Sequence, residues 1–388
     1  MGFFDRFTKK TTTPLVQTPP RPLETDVMEL WSYVSNDAPK VYETKANDWV
    51  LFGPNNQFPI ELLTLRNNSG IHSSIIDAKT KLITGNGIIF GKTREESNNW
   101  IADNFRSVPF YSKLDKVFYQ VTRDQMTFGY SCFEVIYSMD RTRILDINWV
   151  DASRIASGKK CDETFTVDEY YYCTDWRNTR QNVPVEIAAY NPNGEDKREL
   201  VFIRYEENNM DYYALPSYYA AYKWIKADAM MADYNCAALK NGFSPSIVFK
   251  FYKKPTPQER QMNAEGIKAQ HGGSSNAGKA LIFYSDGKEL APDIQTLDAT
   301  NIDERLITVA DQIVQQIISA HRANPSLLGI AIPGKLGYSQ ELVNSWKIFD
   351  AQVIQPERKL ILDAFKQVLM FNGVTNAQVD EIQMNMLQ

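Results

Sequence analysis

Histidine and cysteine are scarce in this sequence: three histidines (His72, His271, His321) and four cysteines (Cys132, Cys161, Cys173, Cys236) in 388 residues. They stand far apart and form no CxxC pair, so the spacing of a zinc site is missing. Scattered thiols of this kind read as buried or incidental side chains in a reducing cytosol, not as a disulfide framework. No apolar run approaches the roughly 18–20 residues that span a bilayer. The opening MGFFDRFTKK is interrupted by charge too early for a signal peptide, and Arg6 stands where a myristoylation signal carries Ser or Thr. These absences predict a cytosolic chain with no membrane contact. Neither GxSxG nor HExxH occurs. Basic residues have no surplus either: 42 Lys and Arg face 47 Asp and Glu, a formal net charge of −5. Tight phosphate binding draws on a basic excess, so a high-affinity nucleic-acid binder is excluded.

What is present is the composition of a folded protein, 43% hydrophobic and 23% charged, which excludes wholesale disorder. The length predicts two or three structural units. Residues 1–40 read as a short arm followed by an extended linker, TTTPLVQTPPRP, from Thr11 to Pro22. Residues 41–216 read as an α+β unit. Helices are predicted over Phe58–Asn67, over Ile71–Ile83 with Ser69 as N-cap, after the capping box Thr93-x-x-Glu96, and over Leu114–Met126. The glycines of Gly85–Gly87 predict a turn before the apolar run Ile88–Phe90. Past Gly129 the pattern turns to strands: CFEVIY, RILDINWV, EYYYC, VEIAAY and ELVFIRY.

The second half has a different grain. From Leu215-Pro216-Ser217 a helical pattern runs to Asn241-Gly242, where glycine supplies the stop. Its apolar residues Tyr218, Tyr222, Ile225, Ala229, Ala232, Cys236 and Leu239 recur at spacings of 4 and 3, a heptad seam with small residues in its middle. Twenty-five residues make a rod of roughly 37 Å, long enough to need comparable helices beside it. A β–α–β stretch follows: SIVFKFY, a helix from Pro257 to about Gln270, a Gly/Ser turn, and ALIFY. A second long helix is predicted over Ile302–His321, with Ile302, Leu306, Val309, Ile313, Ile317 and Ala320 on one face. Two legs thus flank a foot. Beyond Asn324-Pro325 come the loop SLLGIAIPGKLG and a helix-rich segment from Ser339 to about Phe371, interrupted at Pro356.

Two segments invite chemistry. Gly273–Ala280 (GSSNAGKA) fits G-x-x-x-x-G-K, yet Ala280 replaces the Mg²⁺-binding hydroxyl. A P-loop needs a strand before it and a helix after it; here a helix precedes and a strand follows. The motif reads as a flexible turn, and the nucleotide site, with an NTPase activity, is the least favoured reading. Acidic pairs such as Asp162-Glu163 and Glu206-Glu207 read as solvated loops. The loop Leu327–Gly337 combines Leu327, Leu328, Ile330 and Ile332 with three glycines and one cation, Lys335. An apolar loop of this kind either folds back on its core or meets symmetric copies of itself, with Lys335 facing a polyanion.

Three blocks carry a resemblance: FPIELLTLRNNSGIHSSIIDAKTKLITGNG, LPSYYAAYKWI with KNGFSPSIVFKF, and NPSLLGI with GKLGYSQELVNSWKIFDAQVIQPERKLIL. Together they resemble the portal proteins of tailed bacteriophages, in the compact HK97-like branch, over about Leu51 to Leu369. The resemblance implies an α+β subunit that assembles into a ring, usually of twelve copies, at one capsid vertex of the virion after assembly in the host cytoplasm. Double-stranded DNA would pass along the ring axis during packaging and ejection. The implied partners are the terminase large subunit, the neck or head-completion adaptor and the major capsid protein, with no cofactor and no enzymatic activity. Another oligomeric neck or capsid-associated protein is the alternative.

On that pattern residues 41–216 would be the first part of the wing, 217–242 and 301–322 the stem helices, and 243–300 the clip. Residues 323–371 would be the tunnel loop and the helix returning to the wing, and 372–388 a tail with a reduced or absent crown. Lys335, Ile330 and Ile332, with Arg322 nearby, would face DNA. Tyr222, Ile225, Ala229, Ala232, Cys236 and Leu239 would pack stem helices together. The charge divides accordingly. Residues 41–216 hold 20 basic and 25 acidic side chains, whereas 217–372 hold 17 and 15. A near-neutral channel lets DNA slide where a basic one would retain it.

Overall fold

The computed structural model describes residues 39–85, 87–90, 95, 110–161, 163–240, 248–251, 256–259, 261–262, 281–284, 299–323, 325, 339–373 and 379–381. Its centre is an eight-stranded sheet. In chain order the strands are β1 (Val41–Glu43), β2 (Trp49–Phe52), β4 (Tyr130–Tyr137), β5 (Ile144–Trp149), β6 (Ile155–Gly158), β7 (Glu169–Tyr172), β8 (Val185–Ala189) and β9 (Arg198–Arg204). They lie in the order β1-β2-β6-β7-β8-β9-β4-β5. Every pairing is antiparallel except β8 with β9, where Ala188 faces Glu199 and Ala189 faces Leu200. The five strands expected from the aromatic-rich pattern are all present. β6 was not anticipated; its residues IASG are short and fully buried, and carry no alternation to read.

Three helices, α1 (Gln57–Asn68), α2 (Gly70–Thr84) and α3 (Phe110–Phe128), pack together, and α1 and α3 lie against the strands. Ser69 caps α2 as its sequence position predicts, accepting a hydrogen bond from the His72 amide. Gly129 closes α3 at φ 80°, and a Cβ there would meet the Leu215 carbonyl oxygen at 2.4 Å. Glycine is therefore required where the chain that leaves the sheet crosses the end of α3. The core is aromatic: Phe52 stacks on Tyr213 at 4.6 Å, and the Tyr213 hydroxyl donates to the Val50 carbonyl. On the opposite side of the sheet Ala156, Tyr171, Cys173 and Trp176 form a smaller cluster with Trp49. Of the Thr93–Glu96 capping-box segment only Glu95 is described, and it is helical.

The long first leg is shorter than its pattern. Helix α4 spans Tyr222–Lys240, preceded by a 3₁₀ turn over Tyr219–Ala221. Tyr218 is fully buried and its hydroxyl donates to the Thr127 carbonyl at 2.5 Å, which holds the chain in the core before the helix begins. Over its described residues the rod is roughly 28 Å long, and it begins at Tyr222 instead of Ser217. Beyond it β10 (Val248–Phe251) pairs in parallel with β11 (Leu281–Tyr284), and helical residues 257–259 and 261–262 stand between them in sequence. This is the β–α–β order expected. Helix α5 (Ala299–Ala320) is the second leg and packs along α4.

The returning segment also departs from expectation. Pro356 does not interrupt it. Helix α6 (Ser339–Phe349) continues through a π turn, Asp350–Ile354, into α7 (Gln355–Met370). Proline removes one donor and crowds the preceding turn; the wider π geometry just before it keeps the helix unbroken. Phe365 of α7 stacks on Phe133 of β4 at 4.4 Å and meets Phe118 of α3 edge-on, so the segment ends inside the sheet's core. Past it, β12 (Val379–Glu381) pairs antiparallel with β3 (Ile88–Phe90). The fold is a mixed helix and sheet subunit, as its sequence predicts.

Candidate functional site

The structure gathers candidate residues at two places: the paired legs, and the joint where the second leg meets the sheet domain. Along α4 the predicted seam changes character. Ile225 is fully buried within its own subunit, Tyr222 and Ala229 are half-buried, and Ala232 and Cys236 are exposed. The side chain of Leu239 lies outside the described residues. Next to the exposed stretch Met230 is 63% and Tyr234 52% exposed, and on α5 Ile307 is 65% and Val309 40% exposed. Ile313 and Ile317 of α5, nearer the sheet, are buried. The legs are therefore fastened to the subunit core at one end and carry uncovered apolar side chains toward the other. Large apolar side chains clustered at the surface mark a contact surface.

At the fastened end, α5 closes in a Schellman motif. The Ala323 amide donates to the Ile318 carbonyl and the Arg322 amide to the Ser319 carbonyl. Arg322 occupies the left-handed position at φ 52°, normally the place of glycine, and its side chain is exposed. It lines a cleft of about 390 Å³ with Ala323, Ser345, Ile348, Phe349, Gln352 and Val353, between the end of α5 and the π turn. Lys335, Ile330 and Ile332, and the whole loop Leu327–Gly337, lie outside the described residues, as do Gly273–Ala280 and His271. Of the P-loop-like motif only its flank is described: strand β11 begins directly after Ala280.

Beneath Arg322 sits a buried polar joint that the sequence did not reveal. His72, in the first turn of α2, and His321, at the end of α5, meet with Nδ1 and Nε2 2.9 Å apart, although 249 positions separate them. Tyr218 covers both rings, edge-on to His72 at 4.4 Å and stacked on His321 at 5.0 Å. Burial pushes the His72 pKa down to about 3, with the Arg66 guanidinium adding to the effect. Burial, then the charge of Lys79, holds His321 well below its ordinary range. Lys79 is itself buried, which lowers its pKa to about 8 despite the attraction of Glu357. Glu357 accepts a hydrogen bond from the Tyr205 hydroxyl at 2.5 Å, and burial raises its pKa. Arg358 donates to the carbonyls of Leu82 and Ile83, satisfying carbonyls in the last turn of α2. Helices α2, α5 and α7 are thus locked by polar contacts as well as by apolar packing.

No group of His, Cys, Asp and Glu among the described residues has the arrangement of a metal site. No helix among them is long and apolar enough to cross a membrane.

Comparison with known proteins follows from this geometry. The sequence matches the family model described as phage portal protein over residues 89–386, more than half of the chain. Among solved structures, a chain from the neck of an empty gene transfer agent (GTA) particle superposes with a TM-score of 0.55 at 13% identity, over 85% of each chain. A chain from the virion of a native GTA particle gives 0.51 at 14% identity, over 85% of this chain and 84% of that one. An HK97-family phage portal protein of Corynebacterium diphtheriae gives 0.45 at 9% identity, over 82% and 91%. No curated protein sequence matches. The two GTA chains share this fold.

Proposed function

This chain belongs to the phage portal protein family, and we propose that it assembles into a closed ring, twelve-fold as the sequence resemblance implies, through which double-stranded DNA is packaged and ejected. The observation that carries the assembly is the pair of legs: Met230, Tyr234, Ile307 and Val309 remain open on helices otherwise anchored in the subunit core. A neighbouring copy covers them, and small residues at Ala229 and Ala232 allow the close approach. The sheet domain forms the wing, α4 and α5 the stem, and the β10–β11 unit the clip, which docks the terminase large subunit and later the neck adaptor. The major capsid protein surrounds the wing, and the mature ring resides in the virion after assembly in the host cytoplasm.

Channel contact with DNA rests on Lys335, Ile330, Ile332 and Arg322. One cation per subunit becomes a ring of cations, enough to guide a polyanion without retaining it. The chain performs no chemistry of its own and needs no cofactor. Two experiments test this reading. Electron microscopy of the purified protein at micromolar concentration gives closed rings with an axial channel; single subunits or open aggregates overturn it. ATP turnover that disappears in Lys279→Ala overturns the non-enzymatic role.

A further inference from the structure

The buried pair at the wing–stem joint has no part in guiding DNA, yet two imidazoles in direct contact are a chemically sensitive fastening. His72 and His321 are 0% and 1% exposed. One proton occupies the bond between Nδ1 of His72 and Nε2 of His321: whichever ring donates, the other must accept. Two imidazolium rings cannot make this contact, because both nitrogens would then be donors. The remaining ring nitrogen of His72, Nε2, is buried with no hydrogen-bond partner. Where His72 donates through Nδ1, its protonation would place an N–H in surroundings without an acceptor. Where His321 donates, protonation of His72 at Nδ1 would set two N–H groups face to face.

The charged groups around the pair resist protonation. Arg66 of α1, itself paired with Asp77 of α2 at 2.7 Å, acts on His72, and Lys79 of α2, which also feels Arg322 next to His321, acts on His321. His72 stands in the first turn of α2, the positive end of that helix. Glu357 of α7 acts on Lys79. Asp228 of α4 accepts a hydrogen bond from the Ser69 hydroxyl, and Tyr218 supplies only a ring face.

We propose that the His72–His321 contact is a proton-sensitive latch, which fastens the end of α5 to wing helix α2 while both rings are neutral and releases it when they are charged.

The sign and size follow from linkage. In the closed state His72 titrates near 3 and His321 well below its ordinary value; in an opened state both return toward 6.5. Below about pH 6.5 the opened state therefore binds protons that the closed state refuses. Its population rises by a factor that approaches tenfold per pH unit for each histidine, or a hundredfold for the pair, once the pH is about a unit below 6.5. Lys79 takes up its proton on opening at higher pH, between about 8 and 10.5, and does not enter this window.

Hydrogen–deuterium exchange on the full-length assembled protein tests the latch, read as opening constants for amides of residues 313–323 after correction for intrinsic exchange. Wild type shows a rise that steepens below 6.5 and approaches a hundredfold per pH unit below about 5.5, while amides of β4 and β9 stay protected. His72→Asn with His321→Gln, which keeps donor and acceptor groups without a titration, flattens the slope. Should the double variant fail to fold, His72→Asn alone reduces it to about tenfold. A flat wild-type profile, an unchanged slope in the variants, or equal loss of protection in β4 and β9 overturns the proposal. Ring formation is scored separately by microscopy at neutral pH, so failure of the latch is distinguishable from failure of the assembly.

Discussion

Arg322 holds a backbone conformation that glycine would hold without strain. Its φ of 52° closes α5, and a non-glycine residue there costs about 1 kcal/mol. An arginine kept at that cost points to use of its side chain, which is exposed beside the cleft at the π turn. Arg322→Gly is accordingly expected to raise the melting temperature slightly while lowering the amount of DNA retained per particle. Normal genome content in particles bearing this variant would remove Arg322 from the channel. Gly129 is the opposite case. Its φ is 80° and backbone atoms of Leu215 and Pro216 fill the place of a Cβ, so Gly129→Ala should destabilise the subunit by roughly 2 kcal/mol or more, measured by chemical denaturation. A neutral result would mean the crossing of α3 by residues 215–216 is looser than described.

At the scale of elements, thiol reactivity reports on the legs. Cys132 and Cys173 are buried, whereas Cys236 is exposed on α4. Maleimide labelling followed by peptide mass spectrometry should modify Cys236 in dissociated subunits and spare it in assembled rings. Equal labelling in both states would place the contact between copies elsewhere. Met230→Asp and Ile307→Asp should likewise prevent ring formation without altering the circular dichroism of the subunit, since both side chains are already open to solvent.

The elements also show which signals a sequence carries. Helix α2 was legible because a cap and a 3.6-residue pattern agree, and the strands β4, β5 and β7 to β9 because aromatic and branched residues cluster between turns. The start of α4 was not. Tyr218 continues the heptad spacing, but its hydroxyl bonds to Thr127 across the core, and periodicity cannot register a tertiary hydrogen bond. Pro356 misled for a related reason: a single residue signals a break, while the π turn that accommodates it depends on the whole segment. The His72–His321 joint was invisible, because two isolated histidines have no local pattern and only the packing of α2 on α5 brings them together. Of the proposed DNA-facing residues, only Arg322 is placed by the structure.

For the whole molecule, charge sets the conditions of assembly. Residues 41–216 carry the acidic excess, 25 acidic against 20 basic side chains. Closing a ring would bring these acidic regions side by side, and their repulsion is felt most where the Debye length is long, about 30 Å at 0.01 M salt. Rings should therefore be favoured as ionic strength rises, read by mass photometry across a salt series. Dissociation on adding salt would show that ion pairs between copies, not apolar contacts, hold the assembly. Lys335→Ala should leave this series unchanged and alter only DNA packaging or retention.

The pairing of β12 with β3 has a mechanical meaning. The chain leaves the sheet domain at Pro216, runs out along α4, returns along α5, and is then bound again by Phe365 in the core and by β12 at the sheet domain's flank. Any tension on the β10–β11 unit is carried by two struts in parallel, each rooted in the same block. Neither root is a chain terminus that could peel residue by residue. A pull must shear the buried anchors, Tyr218 at one strut and His321 at the other, together.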